Sequence, residues 1–199
     1  MDDATLAGLL ATDLDGSFET LVRTYQDRIY AFGLRLTGSP RDAEEIAQDA
    51  FVRAYRALSR YPGERIATLR VRAWLFQIAL NVARNRGRGG RLRETPLAPT
   101  TDEAPAIEPV DDPRHGPEAT VERDEARDEL AHLVAALPER YRLAVVLRHV
   151  EGLRYHEIAA VLGQPVGTAK SNVHRGVALL RRALAAPAPA AAKLSGGVR

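Results

Sequence analysis

"GQPVGTAKSNVHRGVALLRRAL", residues 163–184, decides the fold class and locates the chemistry. Gly163 and Pro165 read as a turn followed by a helix start. Val166, Ala169, Val173, Val177, Leu180 and Leu184 then recur at steps of three and four, one stripe of a 3.6-residue period. Gly167, Thr168, Ser171, His174, Arg175 and Arg182 fall opposite that stripe, with Lys170 and Arg181 on one flank. No Asp or Glu occurs between Gln164 and Arg199. A solvated surface helix mixes both signs to gain i,i+4 ion pairs. A helix that meets a polyanion excludes carboxylates, and Lys, Arg, Ser and Thr side chains suit base edges and phosphates.

Working outward, Tyr155, Ile158, Ala159 and Leu162 give a shorter helix that Gly163 ends. Together with 163–184 it forms a helix-turn-helix unit, whose second helix presents its N-terminal residues to the major groove. Upstream, Leu130, Leu133, Val134 and Leu137 form one apolar stripe. Leu143, Val146, Leu147 and Val150 form another, closed by Gly152. These segments predict a C-terminal helical domain over 125–184.

The N-terminal half repeats the helical pattern. Phe18, Leu21, Val22, Tyr25, Ile29, Phe32 and Leu36 mark an amphipathic helix over 17–37 that Gly38 ends. Ser39 then caps a helix with Pro40 at its first position. That helix buries Ile46, Ala47, Ala50, Phe51, Ala54, Tyr55 and Leu58, and shows Asp42, Glu45, Gln48, Asp49 and Arg53 to solvent. "YPGER" breaks the chain, and a third helix is expected from about Thr68 to Arg86, with Val71, Trp74, Leu75, Ile78 and Val82 inward. No strand is expected. The fold class is therefore all-α, with two small helical domains, 1–86 and 125–184.

Between them, residues 87–124 are rich in Pro, Gly and acid and too poor in apolar side chains to offset ordering entropy. They predict a flexible acidic linker, spanning roughly 35 Å as a coil and at most about 120 Å extended. Residues 185–199, "AAPAPAAAKLSGGVR", are of low complexity and predict a disordered tail. Charge follows the same divisions. Residues 1–60 carry a net −3, 61–100 +6, 101–130 −8 and 131–199 +7. Two basic zones flank an acidic connector, a pattern suited to polyanion binding on two surfaces.

Composition excludes several chemistries. The absence of cysteine removes disulfides, thiolate zinc sites and a cysteine nucleophile. "HEIAA" at 156–160 lacks the second histidine of a zincin helix, and "RGRGGR" lacks the lysine and hydroxyl of a phosphate-binding loop. No metal, cofactor or catalytic residue is expected. No apolar run approaches the roughly 18 residues of a membrane span, and the N-terminus is acidic where a signal peptide is basic. A cytoplasmic location is expected.

The segment "LPERYRLAVVLRHVEGLRYHEIAAVLGQPVGTAKSNVHRGVALLRRAL" resembles the −35-reading C-terminal domain of bacterial sigma-70-family factors. "PRDAEEIAQDAFVRAYRAL" and "RAWLFQIALNVARNRGR" are similar to the polymerase-binding and −10-reading regions of the extracytoplasmic-function (ECF) group. The resemblance covers both domains in order. It implies that Thr168, Lys170, Ser171 and Arg175 contact the −35 element, with His174 beside them. Asn81 and Asn85 match positions that read flipped −10 bases, one helical turn apart, and Arg84, Arg86 and Arg88 would hold the strand. Phe76 is a candidate for stacking on an unpaired base; Trp74 is assigned to the core. Asp42, Glu45, Gln48 and Asp49 fall where the family docks on the β′ clamp helices of core RNA polymerase. Promoter DNA, the β flap and an anti-sigma factor are the other implied partners. Three departures are Asn172 on the packed edge where relatives have arginine, Gly176 for a common alanine, and Arg154 for a serine cap. A second reading is a helix-turn-helix regulator that binds duplex DNA without joining the polymerase core.

Overall fold

The computed structural model describes residues 1–87 and 129–185. Among the described residues all regular structure is helical. The N-terminal group comprises α1 (Asp3–Thr12), α2 (Leu14–Thr37), α3 (Pro40–Leu58), α4 (Gly63–Ala67) and α5 (Val71–Gly87). The C-terminal group comprises helical residues 129–136 (α6), α7 (Glu139–Val145) running into a π-turn at Val146–Val150, α8 (Tyr155–Leu162) and α9 (Val166–Ala185). The expected linker and tail lie outside the described residues except at Gly87 and Ala185, as does 125–128.

Local chemistry sets the boundaries. The Ser39 hydroxyl accepts from the Asp42 N–H at 3.2 Å and starts α3, with Pro40 at its first position. Gly38, Gly152 and Gly163 take positive φ and end their helices. Arg154 offers no acceptor to cap α8, so the cap is built in the opposite sense. The Glu157 carboxylate accepts from the Arg154 N–H at 2.7 Å, the reciprocal half of a capping box.

Two elements differ from the sequence reading. Helix α1 has no counterpart among the expected elements; it buries Leu6, Ala7 and Leu10. Its Asp3 carboxylate accepts from the Arg72 N–H at 2.8 Å, at the start of α5, and from the Tyr25 hydroxyl at 3.3 Å. Burial pushes the Asp3 carboxyl above the usual range and the Tyr25 phenol to about 12, so the phenol stays protonated and keeps donating. The second difference is at "YPGER", which is not a simple break: α4 forms there and buries Ile66, and α5 starts at Val71 rather than near Thr68.

Around α7 the apolar stripe shifts phase. The Glu151 N–H bonds to the Val146 carbonyl, five residues back, and the Leu153 N–H to that of Leu147. A π-turn inserts one residue per turn and rotates the downstream side chains by about 100°. Val150, expected inside, is therefore 50% exposed, whereas Glu151 is 2% exposed. Val166, Leu184 and Tyr55 also lie outside the core, being end-of-helix or groove positions.

Apolar side chains of both groups form one continuous core, because α8 packs on α5. At that seam the Gln77 amide donates to the Ala160 carbonyl at 3.2 Å. Arg28 donates to the Glu151 carboxylate at 3.0 and 2.9 Å and to its carbonyl at 3.2 Å. Arg70 lies 3.8 Å from Glu157.

Gly176 has a structural reason. A Cβ there would stand 2.5 Å from Val145 Cγ2 and 3.3 Å from the Tyr141 carbonyl oxygen, so glycine lets α9 approach α7. Alanine gains about 1 kcal/mol of helix propensity but overpacks a stiff β-branched neighbour at about 1–3 kcal/mol. Gly176→Ala is thus expected to lower the thermal midpoint; a rise would show that the helices have room. Asp3→Ala leaves two donors unsatisfied and should cost about 1–3 kcal/mol in urea unfolding, while Asp3→Asn, which keeps an acceptor, should recover most of it.

Candidate nucleic-acid interface

Helix α9 is positioned by its inward face. Ala169, Val173, Gly176 and Leu180 are buried, and Asn172 joins them at 8% exposure, its amide donating to the Gln164 side chain at 3.3 Å. Asn172 is therefore a packing residue at the turn, as its place on the wheel predicts. Thr168, Lys170, Ser171, His174 and Arg175 are all exposed on the opposite side. They share one helix face with no carboxylate among them.

Other helices extend this face, which the period of α9 alone could not reveal. The Tyr155 ring, from α8, lies 6.4 Å from that of His174, and the Arg148 guanidinium sits 5.0 Å from the Tyr155 centroid. On the other side, Arg175 and Arg140 hydrogen-bond the Tyr141 hydroxyl and hold it below the ordinary phenol range. Arginine, tyrosine and histidine thus border the recognition helix on both flanks, and the signal for them lies in the tertiary fold.

The second candidate surface is on α5. Asn81, Arg84 and Asn85 are half-buried near its C-terminal end. Phe76 is not with them. Its side chain is fully buried, edge-on to Phe32 at 5.1 Å between centroids, so its ring belongs to the core and is withdrawn from base stacking. Trp74 is core, as expected. Arg86 bonds to Glu45 and lies 3.4 Å from Asp49, which ties the end of α5 to the acidic face of α3. Arg88 lies outside the described residues. On α3, Gln48 and Asp49 are exposed, and Asp42 and Glu45 half-exposed. The structure therefore brings the acidic set together on one face and joins it to the neighbouring helix.

A carboxylate-free recognition helix on a helix-turn-helix, joined to a second helical region with its own polar surface, defines an all-α DNA-binding protein of two regions. Residues 21–93 match the family described as Sigma-70 region 2, and residues 127–180 match Sigma-70, region 4. The chain is 36% identical over 171 residues to the ECF RNA polymerase sigma factor SigE of Mycolicibacterium smegmatis, covering 85% of this chain and 62% of that protein. It is 34% identical over 176 residues to the RNA polymerase sigma-H factor of Pseudomonas aeruginosa, covering 84% and 86%. Among solved structures, CnrH in complex with the cytosolic domain of CnrY superposes with a TM-score of 0.59 at 26% identity, covering 92% of this chain and 96% of that one. The fold is also that of the sigma factor RpoE of Bartonella quintana, solved in complex with the anti-sigma factor NepR (TM-score 0.56, 23% identity, 84% and 96% covered). The chain belongs to the ECF group of the sigma-70 family of RNA polymerase sigma factors. A regulator acting apart from the polymerase is not favoured, because the likeness extends through the N-terminal region as well as the helix-turn-helix.

Lys170→Ala and Arg175→Ala are each expected to weaken binding to a duplex selected from a random pool by about 1–3 kcal/mol. Fluorescence anisotropy across a salt series checks this. A phosphate contact lowers the salt slope by about one and weakens all sequences alike, whereas a base contact relaxes preference at one position.

Proposed function

We propose that this chain is the promoter-specificity subunit of RNA polymerase, with two reading surfaces and no catalytic group of its own. Residues 125–184 place α9 in the −35 major groove. Thr168, Lys170 and Ser171, near the start of the helix, face base edges and phosphates, and His174 and Arg175 extend the contact. Residues 1–86 bind core polymerase and capture melted −10 DNA. Residues 87–124 tether the two, and no role is assigned to 185–199.

The observation that carries this reading is the division of α9 into a side that buries Ala169, Val173 and Leu180 and an exposed side on which Thr168, Lys170, Ser171, His174 and Arg175 offer hydrogen-bond donors with no carboxylate among them. Flipping a base out of the stack costs a few kcal/mol. Asn81 and Asn85, one turn apart, supply amides with both donor and acceptor for a base edge, and Arg84 supplies charge for the strand. The polymerase supplies catalysis. Asp42, Glu45, Gln48 and Asp49 dock on its β′ clamp helices, and the C-terminal domain on the β flap. An anti-sigma factor completes the set of partners. Among the described residues no helix is long and apolar enough to cross a membrane, and the place of action is the cytoplasm, with the polymerase.

Charge reversal of Asp42, Glu45 and Asp49 together is expected to abolish association with purified core polymerase, measured by co-elution, while binding to the selected duplex is unchanged. Unaltered core association would overturn the docking assignment. Because Glu45 and Asp49 also hold Arg86, Arg86→Ala serves as the control for loss of that internal bridge.

A further inference from the structure

Helix α7 brings a second arginine to the recognition surface. Arg140 and Tyr141 stand on its first turn, and α7 packs along α9. At Gly176 the two helices are in contact: an added Cβ would lie 3.3 Å from the Tyr141 carbonyl oxygen and 3.4 Å from the Tyr141 Cβ. Arg175, the residue before that glycine, is exposed, as is Arg140, whereas Tyr141 is buried. The Tyr141 hydroxyl oxygen accepts from both arginines, and the Arg140 guanidinium lies 4.6 Å from the centroid of the Tyr141 ring. Two N–H···O bonds of about 3 Å to one oxygen leave the donor nitrogens no more than about 6 Å apart.

Two guanidiniums held this close repel each other. A carboxylate could hold such a pair, but it would cancel one charge and repel an incoming phosphate. A neutral phenol oxygen holds both and cancels neither. Glu139, the acid of this turn, pairs with neither arginine, and among the described residues Arg140 and Arg175 form no ion pair. A guanidinium has five N–H donors, so one bond to the phenol leaves others for a phosphate, whose geometry the planar fork matches. The pair is therefore assembled and carries uncompensated positive charge beside the exposed face of α9.

We propose that Arg140, Tyr141 and Arg175 form a phosphate site on the α7 flank of α9: the two arginines grip one backbone phosphate of the duplex that α9 reads, and Tyr141 is the residue that positions them. The inference rests on the proposed function and adds to it a DNA contact outside the recognition helix. It also assigns Arg175 to the strand backbone, leaving the base edges to the residues nearer the start of α9. Gly176 is part of the device, because it lets the α9 backbone come close enough to Tyr141 for Arg175 to reach the phenol.

The test measures anisotropy of a labelled duplex, selected from a random pool, and of its single-base variants with the full chain across a salt series. Arg140→Ala is expected to weaken every duplex alike, about fivefold to tenfold, and to lower the salt slope by about one. Tyr141→Phe keeps the ring and removes only the oxygen. It is expected to weaken binding about threefold in the unaltered chain and not at all in the Arg140→Ala/Arg175→Ala chain. Replacing phosphates one at a time by neutral methylphosphonate should find one position whose loss the unaltered chain feels and Arg140→Ala does not. Unchanged affinity and salt slope in Arg140→Ala refute the site, as does equal weakening by Tyr141→Phe with and without the two arginines. If the Arg140 and Tyr141 variants are silent while Lys170→Ala and Ser171→Ala weaken binding, the phosphate site fails and α9 still reads the duplex. If the Arg140 and Tyr141 variants weaken binding while Lys170→Ala and Ser171→Ala do not, the phosphate site stands and the recognition role proposed for α9 fails.

Discussion

The structure depends on the burial of α5 from two sides. Val71, Ala73, Trp74, Leu75, Phe76, Ile78, Ala79, Leu80 and Val82 are all buried, between α2 and α3 on one side and α8 on the other. Large side chains buried in this way stabilise by about 1.5–3 kcal/mol each, so the helix is the shared wall of both regions. Its start is fixed by Asp3 from α1, and its end by Glu45 and Asp49 from α3. The half-buried surface left near its C-terminal end belongs to Asn81, Arg84 and Asn85. A helix so confined holds these polar side chains at defined positions.

Charge is allotted by task. On α9 the absence of carboxylates leaves a donor surface for a polyanion. On α3 the acids gather on one face and borrow Arg86 from the next helix, so the acidic and basic surfaces of the N-terminal group are in direct contact. At the seam two glutamates of a basic region pair with arginines of the other. Each arrangement places opposite charges where two surfaces must recognise each other, and electrostatic complementarity of this kind governs register and partner choice more than raw affinity.

Much of this is legible in the sequence because amphipathic helices write their exposure in a 3.6-residue period. The faces of α2, α3 and α9 and the packed position of Asn172 follow from it, and the caps at Ser39 and Gly163 follow from the chemistry of those residue types. Where no period exists, the sequence is silent. Helix α5 is apolar on nearly every face, so spacing does not tell whether Phe76 points to core or to DNA. Helix α1 is short and its apolar residues run together. Helix α4 hides in a Pro-Gly segment that reads as a break. The π-turn leaves no pattern at all, yet it decides that Glu151 and not Val150 faces inward. Arg148, Tyr155 and Tyr141 reach the recognition surface from other helices, a fact of tertiary packing that one helix's wheel does not contain.

If this chain gives RNA polymerase its choice of start site, transcription in vitro from a pool of randomised templates should show it. Purified core polymerase is supplied with and without the chain, and transcript starts are sequenced. Transcripts are expected to depend on the chain, with starts downstream of two recurring elements, one near −35 and one near −10. Starts that are the same with and without the chain, while it still binds duplex DNA, would show that it does not direct the polymerase.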